Sequence, residues 1–183
     1  MESTSEFIVN PPDNYAVVAA NVYRFSTPSK PHLSFLKRLN LCTLIHLSPE
    51  SIPVSVTSFL QSENIRVIPL GMKYGWGRGK DWRVLPEEVI KEALEAVLDV
   101  TNHPIAICCT SGFFETGVVV GCLRRLQGWN FMSIVAEYRS FAGVKARFVN
   151  EQFIELFDTE LITIPPNCPQ GLLCAFDRSK ISE

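Results

Sequence analysis

The chain has 183 residues, 46% of them hydrophobic and 20% charged, which is enough for one domain with a full core and too apolar for extended disorder. A net charge of −2 excludes a whole-chain electrostatic case for nucleic acid or for an anionic membrane surface. The opening MESTSEFIVN lacks a basic, apolar leader, and no run approaches the roughly 20 apolar residues of a bilayer span.

In chain order, residues 1–10 read as a flexible lead-in and Pro11-Pro12-Asp13-Asn14 as a turn. Tyr15–Val18 and Val22–Phe25 read as a strand pair turning at Asn21. His32–Leu39 has helical spacing, and Cys42–Leu47 is a compact apolar run expected as a buried strand. Pro53–Glu63 is expected as a helix with Val54, Val56, Phe59 and Leu60 inward, followed by a strand over Ile65–Leu70. Residues 71–83, GMKYGWGRGKDWR, read as a basic, glycine-rich loop. Leu85–Val100 carries Pro86, Glu87 and Glu88 at its start, the signature of a helix N-terminus, and its positions 89, 90, 93, 94, 97 and 98 form one apolar face. Ile105–Cys108 is the next strand, Thr116–Leu126 a central buried helix, and Ser133–Phe141 and Asn150–Phe157 two further helices. Strands alternating with helices predict an α/β domain over residues 11–160, with a central, mainly parallel sheet flanked by helices; residues 161–183 read as a proline-containing tail.

The six cysteines fit neither a CxxC pair nor a disulfide framework. Cys42, Cys108 and Cys122 lie in apolar runs and read as small core residues of a reduced protein, so the expected setting is a reducing cytosol or nucleus, with the cytoplasm taken as the location.

The chemistry centres on Cys109-Thr110-Ser111-Gly112-Phe113-Phe114-Glu115-Thr116, between a strand and a helix. Backbone N–H groups at such a helix start form a nest for an anion, and the same dipole lowers the pKa of a cysteine placed there. Gly112 allows the tight turn, and Thr116 is placed to hydrogen-bond a thiolate at Cys109. This is the layout of cysteine-dependent phosphatases. PPDNYAVVAANVYRFSTP, FLKRLNLCTLIHLSPE, LDVTNHPIAICC, GCLRRLQGW and EYRSFAGVKARFVNEQFIELFD occur in that order, and residues 9–158 resemble the plant and fungal atypical dual-specificity phosphatases. The resemblance implies a tyrosine-phosphatase fold and a context of phosphotyrosine or inositol pyrophosphate signalling.

Family enzymes carry a loop similar to His-Cys-Lys-Arg-Gly-Lys-His-Arg-Thr-Gly. Here Cys108 stands for the histidine, every basic loop position is gone, and Glu115 stands where the family's phosphate-clamping arginine does. An arginine gives two charge-assisted hydrogen bonds of roughly 1.5–3 kcal/mol each. A carboxylate about 4 Å from a phosphate charge costs roughly 4 kcal/mol at an effective dielectric near 20. The swing is on the order of 7–10 kcal/mol, or about five decades of rate. Backbone amides and the helix dipole, at roughly 0.3–2 kcal/mol, do not offset it.

Cys109 is therefore expected as a vestigial nucleophile that remains a thiol. Asp81 is a weak candidate general acid, more readily read as a solvated turn residue, and Arg24 is placed to hold the loop or a ligand, with a structural hydrogen-bonding role as the alternative. Lys73, Arg78, Lys80 and Arg83 read as solvated loop charge, Trp76 and Trp82 as anchors or a sticky surface, and His46 and His103 as structural histidines. Arg124, Arg125, Lys145 and Arg147 read as solvated faces. Phe113 and Phe114 either plug the former pocket or form an exposed patch. The leading expectation is a pseudophosphatase acting as scaffold or regulator, with protein partners that include active members of the same family, and without cofactor, metal, nucleic acid or membrane. An active cysteine phosphatase with a rearranged clamp, and a module that holds a phosphorylated ligand without turnover, stay open as alternatives.

Overall fold

The computed structural model describes residues 9–74 and 85–173. Among these residues five strands form one sheet: β1 (Ala16–Ala19), β2 (Val22–Ser26), β3 (Thr43–His46), β4 (Arg66–Ile68) and β5 (Ile105–Cys109), in the order β1-β2-β5-β3-β4. Only β1 runs antiparallel, turning into β2 at Asn21, which adopts a left-handed φ of 61°. β5 lies between β2 and β3, parallel to both. A central parallel strand is covered on both faces, and every residue of β5 is buried.

Among the described residues, seven α-helices flank the sheet: α1 (Leu33–Leu39), α2 (Val54–Ser62), α3 (Leu70–Tyr74), α4 (Glu87–Leu98), α5 (Glu115–Leu126), α6 (Phe131–Ala142) and α7 (Phe148–Leu156). Two apolar clusters separate the faces. The larger joins Ile105 and Ile107 to α4 and α5; the smaller joins Ala106 and Cys108 to α1 and α2. The alternation of β5 side chains between them is the period-two geometry of a strand.

The α4 face at 89, 90, 93, 94, 97 and 98 is buried as its spacing predicts, and α5 is buried over most of its length. α4 stops at Leu98 because Asp99 turns extended and its carboxylate accepts from the Thr101 N–H, capping a short 3-10 turn. The expected strand over Ile65–Leu70 is shorter: Pro69 opens α3, which occupies residues expected as loop. α3 packs so closely on the end of β3 that a Cβ at Gly71 would lie 2.2 Å from the Ser48 carbonyl carbon. α6 begins at Phe131 rather than Ser133, because the Asn130 side chain accepts from the Met132 N–H. α7 begins at Phe148 rather than Asn150.

Two core expectations are corrected. Val54 sits in the first turn of α2 and is 82% exposed. Cys42 is exposed ahead of β3, whereas Cys108, Cys109 and Cys122 are buried. All five cysteines among the described residues are free thiols. The described part of the tail folds back on the body: Gln127 donates to the Leu172 carbonyl, Asn167 to Asp99, and the Thr163 N–H to Glu95. No helix among the described residues is long and apolar enough to cross a membrane.

Candidate active-site loop

Three parallel strands end level at one edge of the sheet. Ser26 pairs with Cys109, and His46 with Cys108. Crevices at the carboxyl ends of parallel strands are the usual binding position of α/β folds. Residues 110–114 cross this edge between β5 and α5. Gly112 makes the turn at φ +73°, and a Cβ there would lie 2.6 Å from the Ser26 nitrogen, so both backbone conformation and space require glycine.

The loop is held from three sides. Asn14 Nδ2 donates to the Ser111 carbonyl at 2.8 Å. Arg24 Nη2 donates to the Gly112 carbonyl at 2.9 Å. The Thr110 N–H donates to Ser48 Oγ at 2.6 Å, and Thr110 Oγ1 lies 2.8 Å from Ser48 Oγ and 3.1 Å from Glu50 Oε2. Asn14, Ser48 and Glu50 escape a reading of the sequence because their partners lie 60 or more residues away. The one available signal was Asn14 in its turn cluster, where it adopts a left-handed φ of 57°.

Inside this frame the cradle is filled by the chain itself. The N–H groups of Phe113 and Phe114 both donate to Ser111 Oγ at 3.3 Å. That hydroxyl lies 3.7 Å from Cys109 Sγ, and the Gly112 N–H is shared between the sulfur at 3.2 Å and the Cys109 carbonyl at 3.1 Å. Three loop amides, those of Gly112, Phe113 and Phe114, therefore already have partners within the chain.

Burial pushes the Cys109 thiol above its ordinary pKa, and the Glu115 carboxylate adds to the rise. Thr116 pulls the other way, through its side chain and its backbone N–H, although its buried Oγ1 has no hydrogen-bond partner at normal distance. Cys108 is pushed higher still, by complete burial and by its neighbour Cys109. Glu115, the first residue of α5, makes no ion pair among the described residues. A carboxylate there complements the positive end of the helix by about 0.3–1 kcal/mol.

Arg24 is 1% exposed. Its guanidinium stacks 3.7 Å from the centre of the Phe141 ring, and its Nε and Nη1 are buried without hydrogen-bond partners. Burial lowers its pKa to about 10, so it stays cationic at neutral pH. The arginine thus reaches the loop with one nitrogen on its backbone.

Phe113 and Phe114 are neither a buried plug nor a bare patch. Both are half-buried, with ring centres 4.4 Å apart. Arg147 lies 3.8 Å over the Phe114 ring and Lys145 Nζ 5.9 Å over the Phe113 ring. These two cations, expected as plain solvated charge, form a basic rim on the aromatic pair. Arg124 also departs from the solvated reading. It is buried, bidentate to Glu137 with both bonds at 2.8 Å, and stacked on Trp129.

Asp81, Trp76, Trp82, Arg78, Lys80 and Arg83 lie outside the described residues. Lys73 lies on α3 and pairs with Glu92 at 2.6 Å. His46 is buried at the end of β3, with Nε2 3.2 Å from Thr27 Oγ1 and Nδ1 unpartnered; His103 bonds the Val97 carbonyl at 2.7 Å. No cluster of three metal-ligating side chains occurs among the described residues.

A strand–loop–helix with cysteine at the strand end, set at the carboxyl edge of a mainly parallel sheet, defines the cysteine-phosphatase class of α/β proteins. A model of the tyrosine phosphatase family matches residues 9–173, and the chain belongs to that family. It is 43% identical over 162 residues to a Dictyostelium discoideum protein named "Probable tyrosine-protein phosphatase DG1060", covering 88% of this chain and 95% of that one. It is 42% identical over 149 residues to inositol diphosphatase DSP4 of Arabidopsis thaliana, covering 81% of this chain and 73% of the relative. Among solved structures, the Siw14 catalytic core superposes with a TM-score of 0.78 at 38% identity, covering 84% of this chain and 90% of that core.

Proposed function

We propose that this protein is a non-catalytic member of its family, a pseudophosphatase that works through protein contacts as a scaffold or regulator in phosphate or inositol pyrophosphate signalling. The observation that carries this reading is the content of the cradle. Ser111 Oγ takes the amides of Phe113 and Phe114, and Glu115 stands at the position of the clamping cation. An incoming phosphate would have to displace an internal hydroxyl and approach a carboxylate, with no loop arginine in exchange. The raised Cys109 pKa supports the same reading, since the thiolate is the nucleophile and the thiol is not. The names of the relatives supply the signalling context, and the active members of the family are the partners this reading favours.

The test is phosphate release by the full chain from p-nitrophenyl phosphate and from an inositol pyrophosphate, beside Cys109→Ser. The expected result is no turnover that depends on Cys109. Turnover that disappears in Cys109→Ser would overturn the proposal in favour of a working cysteine phosphatase.

A further inference from the structure

The segment between α6 and α7 does more than connect them. Gly143 leaves the helix at φ +54° with open space around its Cβ position, so the turn projects away from the body. Val144 is fully exposed and Phe148 is 75% exposed. Between them, Lys145 and Arg147 lie over the rings of Phe113 and Phe114. Neither cation has a carboxylate partner among the described residues, although neighbouring Arg139 is bidentate to Glu151 at 2.7 Å. The aromatic pair therefore orients the Arg147 guanidinium, 3.8 Å over the Phe114 ring, while the exposed Lys145 ammonium lies 5.9 Å from the Phe113 ring, at the outer reach of such a contact.

We propose that Phe113, Phe114, Val144, Lys145, Arg147 and Phe148 form a docking surface for an acidic segment of a partner protein, one that carries an aromatic or aliphatic anchor among its carboxylates. The inference rests on the non-catalytic reading above and names the surface that reading requires. Arginine and aromatic side chains are the residue types that dominate binding energy at protein interfaces. Stacking pre-orients the Arg147 guanidinium, so less side-chain freedom is lost when a carboxylate arrives. Exposed Phe148 and Val144 offer apolar area, at about 25 cal/mol per Å2 buried, that the fold leaves unused.

Charge selects the occupant. A second copy docking through the same six residues by two-fold symmetry would gather the two cations of each copy in one interface without a carboxylate among them, which like-charge repulsion disfavours. A basic segment would meet the same two cations. Glu115 and Glu50, at the loop itself, set the acidic limit of the surface and so orient a partner whose carboxylates face the 143–148 side.

The test is selection of a displayed library of random twelve-residue peptides on the full chain, with affinities of the winners measured by fluorescence anisotropy at low and high salt. The expected winners combine several Asp or Glu with an aromatic or aliphatic residue. Their affinity falls at least tenfold in Lys145→Glu/Arg147→Glu, falls in Phe148→Ser, and weakens with salt, while thermal midpoints show that both variants stay folded. Neutral or basic winners, acidic winners held equally well by the charge-reversed variant, or no enrichment at all would overturn the proposal. So would binding of inositol hexakisphosphate through these two cations without any peptide enrichment, which assigns the surface to a phosphorylated metabolite. Phosphate release by the same preparation is scored separately: Cys109-dependent turnover contradicts the non-catalytic reading whatever the peptides do.

Discussion

Glu115, the first residue of α5, places a carboxylate at the positive end of that helix. Beside it, the Ser111 hydroxyl accepts from the N–H groups of Phe113 and Phe114. Changing Glu115 to arginine alone is expected to restore little phosphatase activity, because the hydroxyl still fills the amides and the other basic loop positions are still missing; substantial turnover in a phosphate-release assay would contradict this. The thiol chemistry gives a second outcome. Mapped by peptide mass after iodoacetamide treatment at pH 7.5, exposed Cys42 should be alkylated well before buried Cys109, and Glu115→Gln should speed labelling at Cys109 by removing one cause of its raised pKa. Faster labelling at Cys109 than at Cys42 would mark an activated thiolate. The absence of basic residues from the loop over 110–116 was legible in the residues themselves. The occupant of the cradle was not, because where the Ser111 hydroxyl points depends on the turn at Gly112, and that turn is fixed by contact with β2.

Among the described residues, α6 makes ion pairs to both of the helices that flank it in the chain. Its Glu137 reaches the buried Arg124 of α5, and its Arg139 reaches Glu151 of α7. Removing one partner of a buried ion pair costs about 3–5 kcal/mol, because the remaining charge stays buried. Glu137→Gln should therefore lower stability by about 3 kcal/mol, near the low end because Glu137 is partly exposed, and the melting temperature by about 6–12 °C. A change below about 1 °C would show that Arg124 finds other partners. Helix existence was readable from apolar spacing, but helix starts were not always. Asn130 caps α6 with its side chain, so the helix starts two residues ahead of the predicted Ser133, while Pro69 ends the Ile65–Leu70 strand early by opening α3. Arg124 was misread because a cation in an apolar helix is legible as solvated or paired only when its partner on another helix is known.

For the molecule as a whole, alternating strands and helices gave the mainly parallel sheet, and the quoted motifs gave the family. The order that places β5 between β2 and β3 depends on pairings across some 60 to 80 residues, beyond any local pattern. One consequence of that packing is a pH dependence. His46, at the end of β3, has a folded-state pKa lowered by burial, with Glu50 opposing the shift. The unfolded chain takes up this proton first, so the contribution of neutral His46 is complete above its ordinary pKa of about 6.5 and is lost as pH falls below it. Urea unfolding at pH 7.5, 6.5 and 5.5 should show stability falling over the lower step, and His46→Asn should flatten that fall; an unchanged slope in the variant would assign the titration elsewhere.

The central claim concerns the cradle, and its amides report on it directly. In a nitrogen-15 NMR titration of the full chain with orthovanadate, the amide signals of Gly112, Phe113 and Phe114 should stay in place up to millimolar concentrations. A saturable shift of those three signals, abolished in Cys109→Ser, would contradict the account.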